Sequence, residues 1–330
     1  MLVFIVKRLL MLIPVVLGIS FIVLLLLAIT PGDPAASMLG TQATPERVAE
    51  LRAELGLDDP IFVRYFNFLG QIVRGDFGTS YFTKSSVFDA MMLRIPYTLL
   101  LVSVGLAVSV ILGIPIGVYA ATHHNTWKDN AAMFVALFFV SMPVFWFALL
   151  LVRLFGVQLR WFPLSGIGSW RHWVLPVVSM SLLFIATIAR QTRSNMLEII
   201  RQDFIVTAKA KGLPQHKVTY RHALKNAMIP VIMVIGNIFG LMIGGALVTE
   251  VIFGIPGLGQ YTLAGLTGRD YPVIQGGVFI LSVMFSLVIL IVDIVFAIVD
   301  PRIRSQYGRK SEKSRKGGKQ IEEDPQKIEA

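Results

Sequence analysis

The chain alternates between long apolar runs and shorter polar stretches. The first uninterrupted apolar run extends from Leu9 to Thr30 and follows two basic residues. As a helix it would be about 33 Å long at 1.5 Å per residue, which is enough to cross the hydrocarbon core of a bilayer. The alternative is a secretory signal peptide, but the run is longer than the apolar part of such peptides. We therefore expect a retained membrane helix in residues 1–30.

Five further apolar segments follow along the chain. They lie at about 97–121, 131–155, 173–189, 229–251 and 276–299, and the fourth span, 173–189, is shorter and less apolar than the others. The pattern predicts an all-α integral membrane protein with six transmembrane helices. Residues 97–300 would form a five-helix core, and the polar residues 31–96 would form a separate segment between the first two helices.

The polar segment at 190–228 is strongly basic. It contains eight Lys or Arg residues against only Glu198 and Asp203. By the positive-inside rule this loop lies in the cytoplasm, which also places both termini there and residues 31–96 outside. The 31–96 segment is longer than 60 residues, so it would cross regardless of its own charges. The tail at 301–330 is rich in Lys, Glu and Gly and is expected to be a largely disordered cytoplasmic extension.

Two short helices are predicted within this basic loop. Met196, Ile200, Phe204 and Ala208 recur every four residues, as on one face of a helix. Gly212 would end that helix in a left-handed conformation, and Pro214 would begin the next one. The corner between them consists of small residues, so another protein could approach the backbone closely. The alternative is a basic loop that only anchors the topology.

Glycines recur at four-residue spacing within two of the predicted spans. Such a face allows a neighbouring helix to pack at short range. The neighbour would be another helix of the core or a paired subunit. In the second span the small residues include Gly105 and Ser109, and the glycines that we assign to helix packing or to a transport pathway are Gly113, Gly117, Gly236, Gly240 and Gly244.

Asp293 is an ionisable residue inside the last predicted span. A charge at this depth is costly unless it faces protein or water, which makes it a functional candidate. It would be the ion site of a secondary transporter if the protein were one. The other interpretation is a structural carboxylate bonded to a neighbouring helix or reaching the interface.

Composition agrees with a membrane protein and excludes several other classes. The chain is 55% hydrophobic and 15% charged with a mean hydropathy of +0.70, which is too apolar for a soluble domain. It has no cysteine, so disulfides and thiolate metal sites are excluded. The net charge of +10 is expected from insertion bias and anionic membrane lipid, since no basic nucleic-acid-binding motif accompanies it.

Motifs for enzymatic chemistry are missing from the sequence. There is no P-loop, no H-E-x-x-H and no G-x-S-x-G. His123 and His124 are adjacent, so on a helix they would point in different directions, and we expect solvated loop residues rather than metal ligands. We therefore expect no catalytic, cofactor-binding or metal-binding residues, and no enzymatic activity in this chain.

Several dispersed stretches carry a family resemblance. They are TAKAKGL and RHALKNAMIP in the basic loop, ITPGDPA, ELGLDDPIFVRYFNFL and GDFGTSY near the outer segment, and FGIPGLGQY with RDYPVIQGG before the last span. Together they resemble permease subunits of ABC importers, in the branch that imports dipeptides, oligopeptides and nickel, and the outer segment is similar to the B-type subunit. Val206 and Thr207 depart from the broader superfamily pattern, which has Glu and Ala there.

The resemblance implies a permease subunit in the bacterial inner membrane. Its partners would be a second permease in a heterodimer, two ATP-binding subunits that use the ATP, and an extracytoplasmic solute-binding protein. Alternating access would carry dipeptides or short oligopeptides, with nickel, a metal chelate or glutathione as alternatives; a membrane scaffold is a more remote possibility. The residues that it places against the ATP-binding subunits are Phe204, Thr207, Ala208, Lys209, Ala210, Lys211, Gly212 and Leu213.

Overall fold

The structure is a computed structural model that describes the backbone of residues 2–299 and the side chains of residues 5–298. The tail predicted at 301–330 lies outside these residues. In chain order the helices are α1 (Leu2–Ile29), α2 (Pro34–Leu39), α3 (Pro45–Glu54), α4 (Ile61–Val73), α5 (Val87–Met92), α6 (Ile95–Thr122), α7 (Trp127–Val140), α8 (Val144–Leu151), α9 (Arg171–Ile200), α10 (Asp203–Ala210), α11 (Gln215–Lys217), α12 (Lys225–Phe253), α13 (Leu258–Gly268) and α14 (Tyr271–Val299).

Five helices are long and apolar enough to cross a membrane, namely α1, α6, α9, α12 and α14. They correspond to five of the six predicted spans. Helices are the expected solution, because a backbone in lipid must satisfy its hydrogen bonds within its own segment. Within residues 2–299 the number of spans reaches six only if the bent pair α7 and α8 is counted as one.

The structure corrects the prediction of a single helix over 131–155. The segments Trp127–Val140 and Val144–Gln158 meet at an angle of 98°. Pro143 explains the break, since it has no N–H to donate and it disfavours helical backbone at Met142. The Ser141 hydroxyl donates to the Leu137 carbonyl oxygen at 2.9 Å as α7 ends. This part of the chain is a broken span or a re-entrant turn.

Helix α9 is longer than the predicted fourth span of 173–189. It continues through Ile200, so the first residues assigned to the basic loop are helical. The physical reason is burial: Ile188, Thr192 and Met196 lie four residues apart and are all fully buried. Their face stays covered by protein beyond the apolar run, and the loop between α9 and α12 is therefore confined to residues 201–224.

Helix α9 is the central element, since it packs against α6, α7, α8 and α12. Its contact with α6 is close because of the glycines on α6. A β-carbon added at Gly113 would lie 2.9 Å from the Ile185 carbonyl oxygen, and one added at Gly117 would lie 2.6 Å from the Thr192 β-carbon. The glycine face of α6 is thus filled by α9 of the same chain.

The 31–96 segment is attached to α1 and α14. Helix α4 packs on both, with the Tyr65 hydroxyl donating to the Leu17 carbonyl oxygen at 2.7 Å and the Phe68 ring edge-on to Phe279. Farther along, the Asp270 carboxylate accepts a hydrogen bond from the Ser80 hydroxyl at 2.5 Å. These contacts hold the segment against the spans that begin and end the described fold.

Candidate functional site

The loop between α9 and α12 contains the predicted pair of short helices. Helix α10 ends at a turn in which the Gly212 N–H donates to the Lys209 carbonyl at 2.9 Å and the Leu213 N–H donates to the Ala208 carbonyl at 3.4 Å. Gly212 has φ +75°, the left-handed conformation that this turn requires. Pro214 then precedes α11 in extended conformation. The corner at Gly212 is built as the sequence predicts.

The four-residue apolar stripe does not lie on one helix, which corrects the prediction. Gln202 has extended backbone, so the helix breaks between Ile200 and Phe204. In α10 the buried side chains are Ile205 and Ala208. They pack on the ends of α6 and α9, on residues just before α12 and on the start of α12 through Val118, Ala121, Met196, Val218, Ala223 and Ala227. Helix α10 is thus docked on the helix bundle by one small apolar face.

The opposite face of this loop is exposed and partly apolar. Phe204 is 45% exposed, Val206 59% and Tyr220 61%. The neighbouring exposed residues are Thr207, Lys209, Ala210, Lys211 and Gly212. Aromatic and aliphatic groups among lysines form a surface suited to a protein partner with apolar and acidic groups. Sequence reasoning missed the outward position of Val206 and Tyr220, because loop periodicity alone does not show which face is covered.

A buried ion pair, which sequence reasoning also missed, lies next to this loop. Asp129, in the first turn of α7, is 1% exposed. Its carboxylate accepts two hydrogen bonds from Arg193 of α9, Nε to Oδ1 at 2.5 Å and Nη2 to Oδ2 at 2.6 Å. The His124 Nδ1 lies 3.2 Å from both Asp129 Oδ2 and Arg193 Nη2. His124 is therefore part of this Asp129–Arg193 pair, and the expectation that it is simply solvated is wrong.

The glycines of α12 have two different environments. Gly236 lies against Val292 of α14, and a β-carbon added at Gly240 would lie 2.8 Å from the Phe285 ring. Gly244 is exposed and has no neighbour within 4 Å of such a carbon among the described residues. The three glycines have the same spacing, but among the described residues only Gly236 and Gly240 have side chains of α14 packed against them.

Asp293 forms an ion pair with Arg8 and so connects α14 to α1. A carboxylate bonded to a neighbouring helix was one of the two interpretations open from the sequence. The partner is 285 residues away in the chain. No sequence pattern indicates a contact over that separation.

Two family models cover most of the chain. Residues 113–305 match the binding-protein-dependent transport system inner membrane component, and residues 1–102 match the N-terminal membrane component of binding-protein-dependent transport systems. The chain belongs to this family. It is accordingly a multi-pass protein of the bacterial inner membrane, with five or six helices able to span it.

Curated relatives match over nearly their whole length. The chain is 37% identical to the dipeptide transport system permease protein DppB of Alkalihalophilus pseudofirmus, covering 92% of this chain and 100% of that protein. It is 38% identical to the glutathione transport system permease protein GsiC of Salmonella choleraesuis, covering 92% and 99%. Both matches are long enough to include the outer segment and the α9–α12 loop.

A solved structure of the methionine ABC transporter MetNI in an inward-facing conformation has a similar fold. The TM-score is 0.55 at 18% identity, and the match covers 64% of this chain and 96% of that chain. At this identity the likeness concerns the fold alone. It shows that the family member described here shares its helical core with an ABC transporter.

A second feature that the sequence did not reveal is the carboxylate of Glu250, near the end of α12. Glu250 is fully buried, and it accepts hydrogen bonds from the Thr98 hydroxyl at 2.5 Å and the Gln260 N–H at 2.9 Å. Thr98 in turn accepts from the Leu258 N–H at 2.9 Å. A β-carbon added at Gly257 would collide with the carboxylate. The glycines of FGIPGLGQ thus let this turn close around Glu250 and begin α13.

Removing this carboxylate is expected to destabilise the fold in a graded way. Glu250→Ala leaves the Thr98 hydroxyl and the Gln260 N–H buried without an acceptor, at about 1–3 kcal/mol per group. Glu250→Gln keeps one acceptor oxygen and should cost less. Thermal unfolding of the assembled transporter would measure both, with Glu198→Ala as the control because Glu198 is exposed. Equal midpoints for the Glu250→Ala and Glu198→Ala variants would contradict the assignment.

Proposed function

We propose that this chain is a permease subunit of an ATP-driven importer that carries dipeptides or short oligopeptides. The observation that carries the proposal is the 37% identity to a dipeptide permease over nearly the full length of both chains. Glutathione is the second candidate, since a glutathione permease is equally similar. Glutathione is itself a short peptide-like molecule, so the two candidates share their chemistry. Nickel or a metal chelate is a third candidate within the same branch.

In the proposed assembly a second permease subunit forms the other half of the pathway. Two ATP-binding subunits lie against the α9–α12 loop in the cytoplasm, and a solute-binding protein docks on the opposite side, where residues 31–96 lie. Both termini are cytoplasmic in this arrangement. The exposed apolar and basic face around Phe204 and Lys209 supports a protein partner at the loop. ATP hydrolysis takes place in those partners, and this chain is not an enzyme.

The packing of α10 suggests how the partners would move the permease. Residues Ile205 and Ala208 press on Met196 of α9 and on Val118 of α6. A displacement of α10 would therefore reach two spanning helices directly, because packed interiors transmit shifts rather than absorb them. Repeated closing and opening of the pair of ATP-binding subunits would tilt these helices and open the pathway to one side of the membrane at a time.

Reconstituted vesicles test the proposal and its ion-coupled alternative. With both permeases, the ATP-binding subunits and the binding protein present, we expect uptake of dialanine that requires ATP and survives collapse of ion gradients. Asp293→Asn should retain ATP-dependent uptake, because Asp293 pairs with Arg8 and is not needed as an ion site. Uptake driven by an ion gradient without ATP, and lost in Asp293→Asn, would replace the proposal with a secondary transporter. Parallel uptake of glutathione decides between the two substrates.

A further inference from the structure

A polar cavity of about 330 Å³ opens between the 31–96 segment and the spanning helices. Its walls come from α1, the end of α3 and the turn that follows it, one face of α4, residues 77–79 and 81, and the first turns of α14. The volume lies at the lower end of the range for small-molecule sites. Its charged and polar walls include Glu54, Asp59, Arg64, Asn67, Tyr81 and Gln275.

Arg64 is the positively charged group of this cavity. It is partly buried on the polar face of α4, and its guanidinium forms no hydrogen bond or ion pair with any residue that the structure describes. A guanidinium carries five N–H donors in a planar fork that matches a carboxylate. Arg74, just after the same helix, is exposed and lies outside the cavity. The free donors of Arg64 therefore make an anion site within the cavity.

Tyr81 adds a neutral donor to the cavity lining near Arg64. Burial and, to a smaller extent, the negative charge of Asp270 raise the pKa of Tyr81 to about 12, although the positive charge of Arg64 opposes both. The phenol therefore keeps its proton at neutral pH. A protonated phenol beside a guanidinium can donate to the same carboxylate.

Two carboxylates among the lining residues supply negative charge. Glu54 and Asp59 are exposed and form no ion pair within the described part of the chain. The neighbouring acids differ, since Asp33 and Asp58 are both bonded to Arg52, at 3.0 and 2.6 Å. Glu54 and Asp59 are therefore unpaired acids that line the cavity. The lining of the cavity thus contains both a positive group and negative groups.

The walls of the cavity are held in place. The Asp270 carboxylate accepts from the Ser80 hydroxyl at 2.5 Å and from the Tyr81 N–H at 3.1 Å. Helix α4 is fixed to α1 by the hydrogen bond from Tyr65 to the Leu17 carbonyl. A preformed site loses less entropy on binding than a mobile one.

We propose that this cavity binds the two charged ends of a short unblocked peptide, with the carboxylate at Arg64 and Tyr81 and the ammonium group at Glu54 and Asp59. The inference rests on the proposed function and adds to it a peptide site on the permease itself. Selection for free termini would then occur in this chain as well as in the binding protein. Peptides lacking either charge would bind more weakly.

The absence of cysteine from the sequence allows a direct test. Thr79→Cys places one thiol on the cavity wall, and its reaction with a maleimide can be timed in the assembled transporter in nanodiscs without the binding protein. Dialanine should slow the reaction, whereas dialanine amide and N-acetyl-dialanine should do so only at higher concentration. A thiol at Gln42→Cys, outside the cavity, should react at the same rate with and without peptide.

Arg64→Gln in the Thr79→Cys background should raise the dialanine concentration needed for protection about tenfold or more, since the charge-assisted hydrogen bonds from the guanidinium to the carboxylate are lost. The matched control is Arg74→Gln, which should leave protection unchanged. Arg64→Lys retains the charge but loses the planar fork of donors. The dialanine concentration that it needs for protection should lie between those of the Arg64→Gln and Arg74→Gln proteins. This series remains informative if the Gln variant is poorly assembled.

Two results would overturn the assignment: no protection by dialanine at any concentration, or equal protection in the Arg64→Gln and Arg74→Gln proteins. Uptake in vesicles separates this from the proposed function. ATP-dependent dialanine uptake without cavity protection removes the site and leaves the function standing. Loss of ATP-dependent uptake of every peptide tested, with all partner subunits and the binding protein present, removes the function on which the site rests.

Discussion

Gly212→Val is expected to reduce ATP-driven uptake about tenfold or more while membrane insertion and basal ATP hydrolysis continue. Gly212 has φ +75°, where a β-branched residue is strained by roughly 1–2 kcal/mol. A β-carbon there has no neighbour within 4 Å among residues 5–298, so it projects outward from the exposed corner. A partner subunit docked at that corner would meet the added side chain. The measurement is the ratio of peptide uptake to ATP hydrolysis in reconstituted vesicles.

Backbone strain and lost docking can be separated by matched variants. Gly75 has φ +76° and equally open surroundings, but it lies in the 31–96 segment. Gly75→Val should therefore show the same strain without the fall in the ratio. At Gly212 itself, asparagine tolerates the left-handed conformation better than alanine but is larger. If docking at the corner matters, Gly212→Asn should lower the ratio of uptake to ATP hydrolysis more than Gly212→Ala does. Normal uptake by Gly212→Val would contradict the role of the corner.

The parts of the fold that could be predicted are those that depend on local pattern. Apolar runs located the spanning helices, because a bilayer requires about twenty apolar residues whatever the rest of the chain does. The corner at Gly212 was predictable, since a left-handed glycine commonly ends a helix and a proline commonly follows it. The glycine face of α6 predicted a close neighbour, although not which helix it would be.

The rest depends on contacts between distant residues. Helix α9 extends past its apolar run because Thr192 is buried by α6, a contact that no local pattern indicates. Asp129 is hydrogen-bonded to Arg193, 64 residues away, and Glu250 is hydrogen-bonded to Thr98, 152 residues away. A single sequence shows only that such residues are polar. It does not show that they are buried together.

The ion pair of Asp129 with Arg193 lies where a coupling path through the bundle would pass. Arg193 is three residues before Met196, which packs against α10 in the α9–α12 loop. Asp129 is in the first turn of α7, which leads into the 98° break before α8. Helix α9 would therefore transmit a displacement of α10 to the broken pair, with the ion pair as the connection. We infer that the pair serves as a mechanical link as well as a stabilising contact.

Asp129→Asn is accordingly expected to lower both stability and coupling. Breaking a buried ion pair from one side costs about 3–5 kcal/mol, and the partial exposure of Arg193 places this case near the lower value. Arg193→Gln should cost more, because it leaves the Asp129 carboxylate, which is 1% exposed, without the guanidinium. The double variant leaves no unpaired charge, so its loss should be smaller than the sum of the two, which thermal unfolding of the assembled transporter would show.

The control is Arg190→Gln on the same helix, because Arg190 is exposed and has no ion pair among the described residues. It should leave both stability and coupling near those of the unmodified transporter. If the pair is purely structural, breaking it should lower the unfolding midpoint. The ratio of uptake to ATP hydrolysis should then stay unchanged in the molecules that remain folded. If the pair is a mechanical link, breaking it should also lower that ratio in the folded fraction, so the two roles give different results. Additive losses of stability in the double variant would exclude direct coupling between Asp129 and Arg193.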